Sequence, residues 1–286
     1  EMQRSLVGSE MCIRDSVYTI LASMYTSFNV VYLGWVASDI EVGYYTTAIK
    51  LFAIILSFYT AVTGVLMPRI SNLNKKGEMS VMRNLNEKSL NVLIPTVLCL
   101  IIYLEVYANE IIYIIAGRGY ESAVFSFRIL LPILLFAGVE QILNNQILMP
   151  MEKDKYLLFS SLLGATVGVI LNITLVNELQ SIGSAIVWVV SVVCTTTLSS
   201  FFAYRTIGTI LPFGTFLKNV VGYLPLLLLL FVIHSSIKIV AWSILLSGIF
   251  SIIYFIILQY FLKAEVVLSV IYNLKHIVKN ENTNNK

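Results

Sequence analysis

Long hydrophobic runs dominate the chain and are separated by short polar stretches. A helix that crosses a bilayer needs about 20 mainly apolar residues. Eight runs meet that requirement, at roughly 17–37, 44–67, 89–109, 123–148, 156–176, 183–203, 217–237 and 239–262. Most connections between them are short, which favours antiparallel neighbours. The pattern predicts an all-α polytopic membrane protein with eight transmembrane helices.

Composition removes the alternatives. Of 286 residues, 58% are hydrophobic and 12% charged, and the mean hydropathy is +0.84. A soluble domain carries about 25% charged residues. Half that charge cannot cover a water-facing surface, which excludes a soluble enzyme and a disordered chain. A net charge of +3 is too small for a nucleic-acid footprint, so no nucleic-acid partner is expected.

The basic residues orient the spans. Arg69, Lys75, Lys76, Arg83 and Lys88 follow the second span, and Lys153 and Lys155 follow the fourth. Arg205 and Lys218 follow the sixth, and Lys263, Lys275, Lys279 and Lys286 follow the eighth. These thirteen share one side, against Arg118 and Lys238 on the other. Both ends are therefore expected in the cytoplasm. Trp35, Tyr44, Tyr45, Tyr107 and Tyr113 are expected to form an aromatic belt at the far interface.

The two ends differ from the rest. Residues 1–16, EMQRSLVGSEMCIRDS, lack the apolar region of a signal peptide. The run SLVGSEMCIRDS reads as linker-derived and non-native, which would make the chain a fragment. An ordinary polar tail is the alternative. At the other end AEVVLSVIYNLKHIVKN is amphipathic and basic, suited to the cytoplasmic lipid surface. A disordered ENTNNK is expected to follow.

Catalytic and metal chemistry find no support. Cys99 and Cys194 lie inside spans, where free cysteine behaves as a small apolar residue. His234 and His276 stand alone, without metal-ligand spacing. No nucleotide-binding loop of the G-x-x-x-x-G-K-[ST] type is present. The chain reads as a non-enzyme with no cofactor.

Polar residues within the spans carry the functional signal. A charge at a helix centre costs about 2.5–3.5 kcal/mol on insertion scales, so such residues face partners or water-filled cavities. Lys50 in the second span, Glu105 in the third and Arg128 in the fourth stand at similar depth. Together they fit a cationic site for an anionic head group, with Glu105 as its charge partner. Lys50 and Arg128 equally fit snorkelling to the interface, and Arg128 equally fits a plain ion pair with Glu105. The stretch VEQILNNQ gives Glu140, Gln141, Asn144 and Asn145, with Gln146, a stripe at i,i+3 and i,i+4 spacing. It suits a hydroxyl-rich ligand, because amides both donate and accept. Interhelical hydrogen bonds, about 0.6 kcal/mol each, explain it as well. In the first span Thr19, Ser23, Thr26 and Ser27 share a face, with Asn29 beside it, which indicates a cavity wall or a packing seam. Asn172 reads as structural, and Gly164 with Gly168 as close helix packing. Pro95, Pro132 and Pro225 mark bends, either mobile or static.

At the second span the pattern becomes familiar. Gly34 through EVGYYTTAIKLF to VLMPRISNL resembles the polysaccharide repeat-unit flippases of the O-antigen, Wzx-like type. LIPTVLCL (93–100), ANEIIYIIAGRGYESA (108–123), FRILLPILLFAGVEQILNNQILMPMEKDK (127–155) and LGATVGVILNITLV with IGSAIVWVVS (163–191) follow in the family's order. The resemblance implies that residues 17–203 form the second six-helix lobe of a MATE-like fold. Residues 204–262 would be two additional transmembrane helices, and 263–286 a cytoplasmic tail. It also implies an absent first lobe. The implied activity is movement of undecaprenyl-pyrophosphate-linked oligosaccharide across the inner membrane of a prokaryote. Partners would be that lipid-linked cargo, membrane lipids, the missing N-terminal lobe, a polysaccharide polymerase and glycosyltransferases. GYYTTAIK puts Lys50 where related lipid II flippases carry a basic residue. Many relatives carry an acidic–basic pair where Asn29 and Val30 stand, which puts ion coupling through that acid in doubt. A MATE-type cation-coupled exporter and a lipid II-type flippase are the alternative readings.

Overall fold

The computed structural model describes residues 20, 23, 27–208, 211–237 and 239–262. The N-terminal segment 1–16, Thr19, Thr26, Lys238 and the C-terminal tail 263–286 lie outside the described residues. The secondary structure described is entirely helical. In a bilayer only a helix or a closed barrel satisfies its own backbone groups. The helices are α1 (Ser27–Val36), α2 (Asp39–Lys75), α3 (Met79–Val106), α4 (Ala108–Ala116) and α5 (Ala123–Leu130). They continue as α6 (Ile133–Leu143), α7 (Asp154–Leu171), α8 (Asn177–Ile207), α9 (Phe213–Ser236) and α10 (Val240–Phe261).

Local chemistry sets the boundaries. Ser38 caps α2 by accepting the backbone N–H of Glu41 at 3.4 Å, and Asp39 and Glu41 in the first turn complement the helix dipole. Pro132 divides the fourth predicted span into α5 and α6, because proline lacks an N–H and clashes with the preceding turn. Pro95 and Pro225 are accommodated inside α3 and α9. Two π-helical turns, Asn144–Leu148 and Asn172–Val176, extend α6 and α7.

Among the described residues, six helical stretches are long and apolar enough to cross a membrane: Asp39–Ser57, Met79–Val106, Ala123–Leu148, Asp154–Ile207, Phe213–Ser236 and Val240–Phe261. The sequence pattern counts eight, and two observations account for the difference. The first span is described only over Ser27–Val36. The fifth and sixth share the 54-residue stretch Asp154–Ile207. As one helix that stretch would run about 80 Å, far beyond a hydrocarbon core of about 30 Å. It breaks instead at Gln180, whose φ of 50° and ψ of −125° are non-helical, and the arms on either side pack against each other.

The chain divides into two compact units. The first holds the described residues up to 87 together with those of 108–211. In it α8 is the central element, packed by α5, α6 and α7, while α2 packs on α5, α6 and α8. The second unit groups residues 88–107 with the described residues from 212 onward. The C-terminal helix pair thus has most of α3 as its companion, where the sequence expectation divided the chain once, between 203 and 204. Cys99, Tyr223, Leu226 and Leu230 form the core of this unit. Polar pairs tie its helices: Tyr107 meets Ser243 Oγ at 2.9 Å, Tyr254 Oη donates to the Gly222 carbonyl at 2.6 Å, and Gln259 donates to Asn219 Oδ1 at 2.7 Å.

Two residues of the expected aromatic belt are corrected by their burial. Trp35 and Tyr113 are exposed, but Tyr45 and Tyr107 are fully buried. Their hydroxyls find partners inside the protein, so neither ring needs the polar headgroups.

Gly183 makes the turn at Gln180 possible. A Cβ there would stand 2.9 Å from the Leu175 carbonyl oxygen and 3.1 Å from Val176 Cα. Both obstacles are backbone and cannot swing aside. Gly183→Ala is expected to cost about 1–3 kcal/mol, as overpacking does, measured by thermal unfolding in detergent. Gly214→Ala, with nothing within 4 Å of the added carbon, is the control and is expected to leave stability unchanged or slightly raised.

Candidate functional site

Helix α2 has two unlike faces. Tyr45, Ala48, Leu51 and Phe52 turn into the first unit and are buried. On the opposite side Gly43, Thr46, Thr47, Lys50, Ala53 and Ser57 follow the i, i+3, i+4, i+7 spacing of one helix stripe. Every one of them is exposed or half-buried, and Lys50 is exposed. The stripe is mostly small and hydroxyl-bearing, with Ile54 as its one large exposed aliphatic side chain among the described residues, whereas α9 exposes the large apolar Leu224, Leu228 and Phe231. Thr46 donates to the Val42 carbonyl at 2.8 Å, Thr47 to Gly43 at 2.8 Å and Ser57 to Ile54 at 2.6 Å. The hydroxyl protons are thereby satisfied by the helix's own backbone, while the hydroxyl oxygens keep free lone pairs. Lys50 makes no hydrogen bond or ion pair with any other described residue.

The other expected cations and acids lie elsewhere. Arg128 sits half-buried on α5 and is engaged by an interaction of its own. Glu105 belongs to the second unit, half-buried on α3.

The amide stripe of α6 divides in two. Glu140 accepts a hydrogen bond from Thr195 Oγ1 at 2.9 Å, and Asn144 also bonds to it. This pair faces α8. Gln141 and Asn145, one helix turn apart, are half-buried on the neighbouring flank, and the Gln141 side-chain oxygen is itself buried. Gln146 is fully buried, and its amide has no hydrogen-bond partner among the described residues. The π-helical turn begins at Asn144, so the register of the stripe shifts within it. Such turns recur at functional sites.

Asn29 is placed differently from its expected cavity wall. It is fully buried and donates to Tyr45 Oη at 3.3 Å and to the Ser184 carbonyl at 3.5 Å. Its own carbonyl oxygen accepts the amide of Asn172, which also donates to the Gly168 carbonyl at 2.8 Å. Tyr45 in turn donates to Ser184 at 3.4 Å. One polar cluster thus joins α1, α2, α7 and α8. The corrected role is structural: an amide buried to this extent must hydrogen-bond inside the protein. Ser23 is exposed and donates to the carbonyl of Ile20 at 2.8 Å.

Sequence reasoning found Lys50 but not the stripe around it. The signal was present as the spacing of Gly43, Thr46, Thr47, Ala53 and Ser57 about the lysine. The Asn29–Asn172 pair was not legible, since the two residues stand 143 positions apart.

Comparison with known proteins agrees with this architecture. Residues 9–125 match the family model of a polysaccharide biosynthesis protein. Among solved structures, the lipid II flippase MurJ in its inward closed conformation aligns with a TM-score of 0.73 at 15% identity. The alignment covers 87% of this chain and 53% of that one, so the chain spans about half the length of that flippase. None of the curated proteins matches the chain. The likeness establishes a multi-pass, all-helical membrane fold.

The buried amide pair makes a direct prediction. Asn29→Ala and Asn172→Ala are expected to couple in a double-mutant cycle by about 0.6–1.7 kcal/mol, the range of interhelical hydrogen bonds in membranes. Unfolding in mixed micelles gives the four stabilities, and additive losses would mean that the two amides do not act on each other.

Proposed function

We propose that the chain is part of a flippase that moves polyprenyl-pyrophosphate-linked oligosaccharide repeat units across the cytoplasmic membrane, for O-antigen or related polysaccharide synthesis. The observation that carries this reading is the exposed, unpartnered Lys50 on a face of α2 where small and hydroxyl-bearing residues outnumber the exposed Ile54. A face meant for lipid would be aliphatic, because an ammonium among acyl chains costs several kcal/mol. A face meant for a polar cavity has the composition seen here.

In this mechanism the lipid tail stays in the bilayer while the head group crosses. Lys50 meets the pyrophosphate and offsets its charge. Gln141 and Asn145, half-buried on the neighbouring flank, exchange hydrogen bonds with sugar hydroxyls. Glu140 and Asn144, tied to each other and to α8, hold that flank in position. Arg128 supports the cationic site from α5. A second lobe closes the cavity and rocks against this one to alternate access. The inside-negative potential favours outward movement of the anionic head group by about 2.3 kcal/mol per charge per 100 mV. Glycosyltransferases supply the cargo and a polymerase consumes it. The fold likeness favours one second reading, a lipid II-type cargo, which keeps the pyrophosphate and changes the sugars.

Lys50→Ala in the full-length protein is expected to lower surface polysaccharide at least tenfold with unchanged membrane abundance, and Lys50→Arg is expected to retain most of it. Immunoblots of polysaccharide and protein measure both. Normal polysaccharide in Lys50→Ala at normal abundance would remove the lysine from the mechanism.

A further inference from the structure

The loop between α4 and α5 builds a site that the Lys50 face does not use. Gly117 and Gly119 have φ of +82° and +92°, a backbone that glycine adopts without the Cβ clash other residues meet. Two such residues within three positions turn the chain sharply back over α4. Tyr120 then pins the loop to α2, its ring meeting Tyr44 edge-on at 5.8 Å. Tyr44 lies about 46 Å along α2 from Lys75 at a helix rise of 1.5 Å. The loop therefore belongs to the end of the lobe remote from the lysine-rich α2–α3 turn, which is the outer side by the distribution of basic residues.

A cavity of about 230 Å³ opens there, lined by Asn109, Ile112, Tyr113, Gly117, Glu121 and Val124. Its chemistry is mixed in a particular way. Ile112 and Val124 give apolar walls, and the Tyr113 ring is half exposed, at 52%. The Glu121 carboxylate accepts the Gly119 N–H at 3.2 Å. That bond and its own backbone N–H hold its carboxyl below the usual carboxylate range, so it remains a charged acceptor with lone pairs to spare. Arg118 Nε donates to the Tyr113 hydroxyl at 3.5 Å, which keeps the cation at the rim. Asn109 adds an amide that donates and accepts.

We propose that this cavity is a glycan subsite on the outer face of the membrane, shaped for one pyranose ring. The volume lies below the roughly 300–1,000 Å³ of drug-sized pockets, so it admits a single ring and not an oligosaccharide. A sugar ring offers apolar C–H faces to the tyrosine and the aliphatic walls. Its neighbouring hydroxyls donate to the carboxylate and exchange hydrogen bonds with the amide. A phosphate would meet the like charge of Glu121, and an acyl chain would strand the carboxylate and the amide. The subsite rests on the flippase reading only for the source of the ring, a glycan emerging from the vestibule.

The test is saturation-transfer NMR on the full-length protein in nanodiscs. The probes are the methyl glycosides of glucose, galactose and N-acetylglucosamine at millimolar concentration. At least one glycoside is expected to receive saturation through its ring protons. Glu121→Gln and Asn109→Ala should weaken binding by about tenfold, the worth of a hydrogen bond to a charged group. Both side chains are exposed, so the fold tolerates their loss, and Tyr113→Phe should retain binding if the ring face is the contact. No transfer to any glycoside, transfer unchanged in both variants, or competition by methyl phosphate or ethanolamine instead of glycosides would overturn the subsite. Lys50→Ala is expected to bind glycosides normally. A protein that needs Lys50 for polysaccharide export but binds no glycoside disproves the subsite alone, whereas glycoside binding with Lys50-independent export disproves the vestibule alone.

Discussion

Inside a bilayer a polar group has no water to fall back on, and this constraint organises the structure. Every buried amide or hydroxyl must meet another protein group or face an aqueous space. The cluster of Asn29, Tyr45, Asn172 and Ser184 satisfies the rule inward. Four helices contribute to it, so none of them can shift along its axis without stranding an amide in a medium of low dielectric, where that is costly. The cluster sets the relative positions of α1, α2, α7 and α8 more sharply than apolar contact could, because lipid tails compete well for apolar contacts.

Fixing one face of α2 fixes the other. Tyr45 lies among the buried hydrogen bonds, and Lys50, five residues on, points to the opposite side of the same helix. Lys50 and the stripe around it are therefore held by a rigid element whose orientation is set elsewhere. The hydroxyls of Thr46, Thr47 and Ser57 are bonded back to their own helix, so the face stays polar without needing a neighbouring chain. On α6, Glu140 and Asn144 likewise hold to α8, while Gln141 with Asn145 lies on the neighbouring flank.

The second unit solves the problem with small residues. Ser243, Ser247 and Ser251 recur every fourth residue on α10 and are buried. Tyr103 and Tyr107 of α3 reach the same stripe, donating to Ile244 at 3.0 Å and meeting Ser243 at 2.9 Å. Small side chains bring the backbones close enough for a phenol to reach a carbonyl, which makes residues 88–107 part of this unit rather than a free connection.

Hydrophobic run length alone determined the class of protein, because the thickness of a bilayer leaves little choice of element. The same rule identified Lys50, since a charge in such a run demands an explanation by itself. Ala123–Leu148 was legible as a span to the residue, but its interruption at Pro132 and its π-helical turn were legible only as a bend signal and not at all, respectively. Tyr45, Tyr107 and Asn29 show where one-dimensional reading stops. An aromatic or an amide near a span's end has the same local signature whether it faces headgroups, a cavity or a neighbouring helix. Which of these it faces depends on residues more than a hundred positions away, Ser184 for Tyr45 and Asn172 for Asn29. Run length is a local property and can be read along the chain; the partner of a buried polar group is a long-range one, and packing alone decides it.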